Sequence, residues 1–428
     1  MTLAQRPLPA APRPAAPLLS VQDLVVRFRT HEGTIHAVNG VSFQLEEGER
    51  LGLVGESGCG KSVTNLALIQ LLPKPAGRIE GGTVTFDGQI LTDLREDELR
   101  AIRGRDIAMI FQDPMTSLNP VLTIEEQMIE TIQAHKPMDK ADARGRAIEL
   151  LRLVGIPKPE TRLKSFPHQF SGGMRQRVMI AMALALAPKL MIADEPTTAL
   201  DVTIQAQVLE LLRDLTDESR TALILITHDL GVVAGMTNRI NVMYAGLVVE
   251  TATTMDLFAE PSHPYTVGLL HSIPRLDAIE DEPLIPIEGR PPDMRRAPTG
   301  CPFAPRCRWR IETCWTDNPG LLPVIEGTPV VMTGEHATHL IACHNQPTVE
   351  ERVSGHPMRP GFVAAPAPPG VVDEVGAGHL GGRDDHPGAI VGAIQAEEGP
   401  ISMAPSAGAL PLPPEGEHEG GEGVFHDD

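Results

Sequence analysis

The chain has 428 residues and a mass of 46.1 kDa, with 36 basic and 56 acidic side chains and a formal net charge of −20. This length predicts two or three domains, and a hydrophobic content of 42% is enough for a sizeable core. An acidic balance argues against a nucleic-acid partner and against a polybasic membrane anchor, because both need clustered basic side chains.

The two ends of the chain differ in composition from the middle. Residues 1–17 contain five prolines and no apolar stretch of the signal-peptide type, which predicts a disordered Pro/Ala tail. Residues 345–428 contain 14 acidic and 3 basic residues, and 27 of the 84 are Pro or Gly. We therefore expect a disordered acidic tail at 347–428, without packed structure. No apolar run is long enough to predict a membrane span.

Between the tails, short apolar runs alternate with helical patterns. The predicted strands are Leu51–Val54, Ile107–Phe111, Leu190–Ala193 and Ala222–Thr227, and the predicted helices are Ser62–Leu72, Met174–Ala187 and Thr203–Leu215. This alternation predicts an α/β domain with a mostly parallel core sheet. Residues 116–169 have helical periodicity without a clear strand, which predicts a helical insertion.

One octapeptide fits the phosphate-binding pattern G-x-x-x-x-G-K-[ST]. Its residues are Gly55, Glu56, Ser57, Gly58, Cys59, Gly60, Lys61 and Ser62. Glycines let backbone N–H groups surround phosphate oxygens, Lys61 supplies charge to the outer phosphates, and the Ser62 hydroxyl suits Mg²⁺. A predicted strand precedes this loop, and a predicted helix follows with its partial positive charge. We interpret Cys59 as a small loop residue rather than a nucleophile.

Three more candidate groups follow predicted strands. Asp194 can hold Mg²⁺ directly or through water, and Glu195 can activate a water molecule as a general base. His228 follows the last of these strands, where open α/β sheets form a ligand crevice. Because parallel strands end at one edge of a sheet, we expect these side chains to converge with the loop at 55–62.

A second anion-binding end is predicted where the helix Met174–Ala187 begins. Ser171, Gly172 and Gly173 precede it, with Ser171 as the N-cap. One nucleotide seldom needs two such ends, so the second would serve a nucleotide on another subunit. The alternative interpretation is an ordinary N-cap with a flexible entry.

Together these motifs resemble the ATP-binding subunits of ABC transporters. The resemblance covers about residues 19–260 through GESGCGKS, the glutamine of IFQDPMTSLNP, HQFSGGMRQR, LMIADEPTTALD and ITHD. It implies a P-loop ABC ATPase domain at 18–260 with a helical subdomain at about 115–169. It also implies an Mg²⁺-dependent ATPase whose two subunits dimerise head to tail around two ATP molecules, the loop of one facing residues 171–174 of the other.

The resemblance assigns catalytic roles by position. Glu195 falls on the catalytic glutamate, Asp194 on the Mg²⁺ aspartate and His228 on the switch histidine. Gln112 falls on the Q-loop position, which senses the γ-phosphate and Mg²⁺ and couples to the membrane subunits.

Further positions contact nucleotide or the opposing subunit in the family. Asp201 falls in the D-loop, and Phe28 falls where an aromatic ring stacks on adenine. Met174 stands where many relatives have Gln, and Val63 stands where many have Thr. Val63 would therefore contact phosphate through its backbone N–H.

A narrower resemblance, to oligopeptide/dipeptide permease ATPases, extends to about residue 344. FQDPMTSLNP, FSGGMRQRVMIAMAL, HDLGVVAGM and the stretch 264–307 carry it. It implies a C-terminal domain at 261–346 and peptide import through two transmembrane permease subunits. The other implied partners are a second ATPase subunit, homologous or identical, and an extracytoplasmic solute-binding protein, at the cytoplasmic face of the membrane. Alternatives are another solute such as nickel or glutathione, a soluble non-transport ABC ATPase, or a metal-binding module with an inactive cassette.

Four late cysteines follow the spacing C-x5-C-x6-C-x28-C. They are Cys301, Cys307, Cys314 and Cys343. In a reducing compartment such a group indicates metal more than disulfides, and soft thiolates allow Zn²⁺ or an iron–sulfur cluster. The spacing matches neither the usual zinc ribbon nor the ferredoxin run, and the rival ligands are His336, His339 and His344. The subfamily resemblance implies a [4Fe-4S] cluster on the four cysteines; four reduced structural thiols are the alternative.

Overall fold

The structure is a computed structural model that describes residues 16–198, 200–272, 285–325, 328–329, 339–358, 363–368, 371–372 and 374. In this part of the chain the strands are β1 (Leu19–Thr30), β2 (Gly33–Leu45), β3 (Arg50–Val54), β4 (Gly77–Phe86), β5 (Gln89–Ile90), β6 (Ile107–Ile110), β7 (Leu190–Asp194), β8 (Ala222–Ile226), β9 (Arg239–Tyr244), β10 (Leu247–Thr253), β11 (Leu322–Ile325), β12 (Thr328–Pro329) and β13 (Leu340–Ile341). The helices are α1 (Lys61–Leu68), α2 (Glu96–Ile102), α3 (Pro114–Ser117), α4 (Ile124–Gln133), α5 (Lys140–Leu153), α6 (Pro159–Arg162), α7 (Gly172–Ala183), α8 (Val202–Ser219), α9 (Leu230–Met236), α10 (Thr254–Ala259), α11 (Pro264–His271) and α12 (Val349–Ser354).

The larger sheet has a parallel centre, in the order β9-β3-β8-β7-β6. On the β9 side, β10, β13, β11 and β12 continue it with antiparallel pairs. The register aligns Leu53 with Ile226, and Ile226 with Asp194, so β3, β8 and β7 end at the same level. The predicted α/β fold with a mostly parallel core sheet is confirmed.

The central strands are continuous apolar runs because both faces of the sheet are covered. Every residue of β7 and β8 is buried. Ile192 and Ile224 face the core that contains β1, β2 and α1, whereas Met191 and Leu223 face the core of the helical segment. Full burial of such side chains contributes about 1.5–3 kcal/mol each, so this sheet is a firm base for the loops that follow its strands.

A smaller antiparallel sheet, in the order β2-β1-β4-β5, lies over one side of this core. Asn39 of β2 joins it to the turn between β9 and β10. Its backbone N–H donates to the carbonyl of Gly246 (2.8 Å), and its side-chain amide donates to the carbonyl of Ala245 (2.7 Å). The smaller sheet is therefore fixed beside the loop that follows β3.

Residues 116–169 contain helices α4, α5 and α6 and no strand, as the periodicity predicts. A capping box starts α4, in which Thr123 and Glu126 bond each other's backbone N–H groups, and Asp139 caps α5. Both caps satisfy N–H groups that a helix start leaves without partners. No helix in the described part of the chain is long and apolar enough to cross a membrane.

The segment after residue 347 differs from its prediction. Residues 1–15 and 375–428, where disorder is predicted, lie outside the described residues. Thr348 and Glu351, however, form the capping box of α12, and the buried Glu351 carboxylate also accepts from the backbone N–H of Met358. Ala365 and Arg310 exchange hydrogen bonds further along. The prediction of no packed structure is wrong here. Helix caps and tertiary hydrogen bonds supply partners for the polar groups of this segment, although its average composition is typical of a disordered tail.

Candidate functional site

The loop at 55–62 connects β3 to α1 and requires glycine at particular points. Gly55, Gly58 and Gly60 have φ angles of 149°, 79° and 105°. A Cβ at Gly55 would lie 2.3 Å from the carbonyl oxygen of Met243, and one at Gly60 would lie 2.4 Å from that of Ala37. The backbone is thus enclosed closely at these two glycines, where a larger residue would not fit, as a loop that wraps around phosphate oxygens requires.

Two buried side chains complete the interior of this loop. The Lys61 ammonium donates to the carbonyls of Gly55 (2.8 Å) and Glu56 (3.0 Å), and the residue is 5% exposed. Backbone carbonyls rather than a carboxylate hold the ammonium, so its charge is available to an anionic ligand. Burial raises the pKa of the Cys59 thiol, which supports its interpretation as a small loop residue. The Val63 side chain also lies in the core.

Ser62 and Asp194 meet across the sheet edge. The Ser62 hydroxyl donates to Oδ1 of Asp194 over 2.9 Å. The pKa of Asp194 is raised from 3.8 to about 6, mainly by burial and also by the charge of Glu195, against the lowering effects of Ser62 and Lys61. A hydroxyl and a buried carboxylate are oxygen ligands of the kind that Mg²⁺ takes together with substrate phosphates. The residues therefore fit Mg²⁺.

Side chains from three strand ends surround the carboxylate of Glu195. Its Oε2 accepts from the Gln112 amide (3.1 Å) and the Thr198 hydroxyl (2.8 Å), and its Oε1 lies 3.3 Å from Nδ1 of His228. The backbone of Glu195 has a φ of 44°, and its N–H donates to Ile226. The predicted convergence is confirmed, and this carboxylate can act on a water molecule as a general base.

The second predicted anion-binding end is exposed. The Ser171 hydroxyl accepts from the backbone N–H of Met174 (3.4 Å) at the start of α7. A Cβ at Gly173 would lie 2.5 Å from Cγ2 of Ile204, so this glycine is needed where α7 meets α8. In the described part of the chain, no hydrogen bond or ion pair joins residues 171–174 to the loop at 55–62.

Two other predicted residues have roles within the fold. Asp201 caps α8, its Oδ1 accepting from the N–H of Ile204 (3.0 Å), and it is exposed. Phe28 is 3% exposed in the core, and its ring carbon Cε1 lies 2.8 Å from the position of a Cβ at Gly77. The predicted stacking of Phe28 on adenine does not fit this structure, because the ring is buried in the core that contains β1, β2 and α1.

Sequence reasoning missed three residues that shape the site. Thr198 binds Glu195, as described above. Tyr265 accepts from the backbone N–H of Glu56 (2.8 Å), and Arg306 forms a bidentate ion pair with the Glu56 carboxylate (2.6 and 3.0 Å). Only the position of Thr198, three residues after Glu195, could have been noticed from sequence.

The four late cysteines lie in one C-terminal module, which we define as residues 285–325 and 339–358. Cys301 donates its N–H to the carbonyl of Cys314 (2.8 Å). Burial raises the pKa of Cys301 to about 12, and it raises the pKa of Cys307, which the nearby Cys343 and Cys301 raise further. Among the described residues, no group of three or more His, Cys, Asp or Glu side chains has the geometry to hold a metal ion.

The rival histidine ligands have other partners. His339 lies 2.6 Å from the buried carboxylate of Glu250, and His344 lies 3.3 Å from the Asp317 carboxylate. His336 lies outside the described residues.

Comparison with known proteins matches both parts of the chain. A family model described as "ABC transporter" matches residues 38–198, and one described as "Oligopeptide/dipeptide transporter, C-terminal region" matches residues 249–314. The oligopeptide transport ATP-binding protein OppD of Bacillus subtilis (strain 168) is 52% identical over 307 residues, which are 72% of this chain and 86% of that protein. The chain belongs to the ABC transporter family.

Other relatives of this ABC transporter protein are equally similar. The dipeptide transport ATP-binding protein DppD of Bacillus subtilis (strain 168) is 54% identical over 71% of this chain and 90% of its own length. OppD of Escherichia coli (strain K12) is 52% identical over 73% and 92%. A solved dimeric ATP-binding cassette in a post-hydrolysis state, bound to ADP and Pi, has a TM-score of 0.50 and 30% identity over 55% of this chain and 98% of its own. The chain is thus an ATP-hydrolysing subunit with the ABC cassette fold.

Proposed function

We propose that this ABC ATPase energises the import of oligopeptides or dipeptides through a membrane permease complex. The observation that carries the proposal is the extent of the similarity to peptide transport ATP-binding proteins, which runs from the cassette through the C-terminal region. The partners would be two transmembrane permease subunits, a second ATPase subunit and an extracytoplasmic solute-binding protein. The chain would lie peripherally at the cytoplasmic face of the membrane.

The site geometry supports a specific hydrolytic step. The loop amides and Lys61 hold the triphosphate, and Glu195 orients a water molecule toward the γ-phosphorus. The water oxygen bonds to phosphorus, its proton passes to Glu195, and the bond to the ADP oxygen breaks. Gln112 and His228 keep the carboxylate in place. Mg²⁺ held by Ser62 and Asp194 would neutralise charge on the phosphates when bound.

The exposed start of α7 supports a role for a second ATPase subunit. Helix α7 has twelve residues, and Ser171 caps its N-terminus. The N–H groups of Gly172 and Gly173 at this exposed end can bind an anion. In the same molecule they make no hydrogen bond with the phosphate loop in the described residues. We therefore assign this end, with Met174 and the D-loop residue Asp201, to the nucleotide of the partner subunit.

Reconstitution tests the proposed function. The chain, its partner ATPase and the two permease subunits are placed in proteoliposomes with a solute-binding protein, and uptake of labelled peptide is measured with ATP. We expect ATP-dependent uptake that stops with Glu195→Gln. Uptake of nickel or glutathione but not of peptide would contradict the proposed cargo. ATP hydrolysis without any association with permease subunits would favour a soluble, non-transport ABC ATPase instead.

We also propose that Cys301, Cys307, Cys314 and Cys343 hold a [4Fe-4S] cluster, with Zn²⁺ as the alternative. Their burial, their mutual proximity and the engagement of His339 and His344 elsewhere support this. Bound to these four thiolates, such a cluster would supply one-electron redox chemistry. Iron and sulfide analysis of anaerobically purified protein tests the proposal; stoichiometric zinc without sulfide would overturn it.

A further inference from the structure

The C-terminal module contacts the phosphate-binding loop through one buried arginine. Arg306 lies in a short helical turn, Ala304–Arg306, and its side chain is 3% exposed. Its Nη1 and Nη2 donate to the two carboxylate oxygens of Glu56, over 2.6 and 3.0 Å. Glu56 is the second residue of the loop, so the contact spans 250 positions of sequence.

The guanidinium group is held from its other sides as well. Its Nε donates to the carbonyl of Glu288 over 2.9 Å, and Nη1 lies 3.4 Å from the hydroxyl of Tyr244. The guanidinium carbon is 5.9 Å from the centre of the Tyr244 ring. These contacts fix the planar donor group, so the Glu56 carboxylate meets a rigid partner rather than a mobile surface cation.

A second contact holds the same loop residue through its main chain. The hydroxyl of Tyr265 accepts from the N–H of Glu56 over 2.8 Å. The rings of Tyr265, Tyr244 and Phe303 pack together, with centroids 4.7 to 5.4 Å apart. Phe303 and Arg306 belong to the same stretch of the module, so one packed unit holds both the backbone and the side chain of Glu56.

The position of Glu56 matters for Lys61. The carbonyl of Glu56 is one of the two that accept from the Lys61 ammonium, over 3.0 Å. A continuous series of contacts therefore runs from Arg306 through Glu56 to the cation that serves the phosphates. Without Arg306, the Glu56 carboxylate would also lie unpaired beside a bound triphosphate and would repel it.

We propose that Arg306 is a positioning residue of the phosphate-binding loop, through which the C-terminal module sets the affinity of the site for ATP. The proposal rests on the ATPase activity of the chain but adds a residue outside the cassette motifs to it. Because Arg306 acts on the ground-state conformation of the loop and touches no reacting atom, its loss should change ATP binding more than the hydrolytic step.

Equilibrium binding of a fluorescent ATP analogue, with KM and kcat of the complex assembled with its permease subunits, tests the proposal. Arg306→Gln should raise the Kd and KM for ATP at least about tenfold, which is about 1.4 kcal/mol, with little change in kcat at saturating ATP. Arg306→Lys should be intermediate, because an ammonium replaces the bidentate fork with a single point charge. Arg308→Gln is the matched control: Arg308 belongs to the same module and pairs with Glu288 (2.7 Å), so its Kd should stay within about twofold of the original chain.

A second variant separates positioning from folding. Glu56→Gln combined with Arg306→Gln removes both charges, and it should bind ATP more tightly than Arg306→Gln alone. If Arg306→Gln does not give folded protein, Arg306→Lys tests the same pair, because it keeps the charge and loses only the bidentate fork, and it should also raise the Kd. An unchanged Kd in Arg306→Gln, or equal losses in Arg306→Gln and Arg308→Gln, would overturn the proposal. Glu195→Gln in the same assay should still bind ATP without hydrolysing it. Failure of the proposed hydrolytic role of Glu195 can therefore be distinguished from failure of the proposed role of Arg306 in ATP binding.

Discussion

The Ser62 hydroxyl lies 2.9 Å from the Asp194 carboxylate, although 132 positions separate the two residues. The contact follows from the sheet register, in which β3 and β7 flank β8 and end at the same level. It places the start of α1 beside the end of β7, so a hydroxyl and a buried carboxylate can share one cation. Because one of these two groups is a carboxylate that can be protonated, binding of the cation should depend on pH.

Mg²⁺-ATP affinity should depend on the protonation of Asp194. Burial raises its folded pKa to about 6, so the protonated form predominates below that pH, whereas a bound cation requires the ionised form. Affinity should therefore rise with pH up to about 6, by up to about tenfold per pH unit, and binding should release a proton in this range. Calorimetry in two buffers of different ionisation enthalpy measures that proton.

Asp194→Asn is the control for this titration, because it leaves only the proton released by the γ-phosphate itself. The same raised pKa should lower the free energy of unfolding of the nucleotide-free chain as pH rises from about 4 to about 6. Equal proton release by Asp194→Asn and the original chain would contradict the assignment.

Lys61→Ala should remove ATP binding or reduce it to a trace. The substitution removes the only side-chain cation that the loop itself contains, together with its hydrogen bonds to the carbonyls of Gly55 and Glu56. Binding of a fluorescent ATP analogue measures the loss. Lys189→Ala, which removes an exposed partner of Asp87, should bind ATP normally; a similar loss in both variants would point to a nonspecific effect.

Thr198→Val should reduce kcat, since the Thr198 hydroxyl donates one of the hydrogen bonds that hold the Glu195 carboxylate. Loss of one hydrogen bond to a charged carboxylate, about 1.5–3 kcal/mol, predicts a fall of roughly ten- to a hundredfold. Glu195→Gln should cost at least as much, on the order of 10²–10⁴-fold. Steady-state hydrolysis by the assembled complex checks both, and Thr131→Val in the helical segment serves as the control.

Gly173→Ala should destabilise the chain, because its Cβ would lie 2.5 Å from Cγ2 of Ile204. Overpacking of this kind costs about 1–3 kcal/mol of the free energy of unfolding. Adding Ile204→Ala to Gly173→Ala should restore part of that stability. Gly172→Ala is a closely matched control, since its Cβ would meet only Leu200, at an ordinary 3.7 Å. Chemical denaturation of the three variants measures the difference; equal stability of Gly172→Ala and Gly173→Ala would refute the packing argument.

Much of the fold and half of the site follow from local sequence. A strand covered on both faces is mostly apolar, so Leu190–Ala193 and Ala222–Ile226 are visible as unbroken apolar runs. The phosphate loop is equally visible, because Gly55 and Gly60 adopt backbone conformations that other residues rarely take. Since parallel strands end together, the meeting of Glu195 and His228 could also be predicted, whereas Gln112 is placed only by the family resemblance.

Three other features depended on tertiary structure. The resemblance predicts an adenine-stacking ring at Phe28, but the ring is buried in the core, and no periodicity in β1 reveals which distant segments will pack against it. The helix Val349–Ser354 lies in a segment whose composition is typical of a disordered tail. Its capping box stabilises the helix locally, which the average composition of the segment does not reveal.

The third feature that depended on tertiary structure is the ion pair between Glu56 and Arg306. Sequence alone determined that a phosphate-binding loop with a lysine and a serine would follow a buried strand, because those requirements are local to eight residues. It could not determine what stands behind the loop. That contact joins residues 250 positions apart, and only the packing of the C-terminal module against the end of the sheet brings the two charges together.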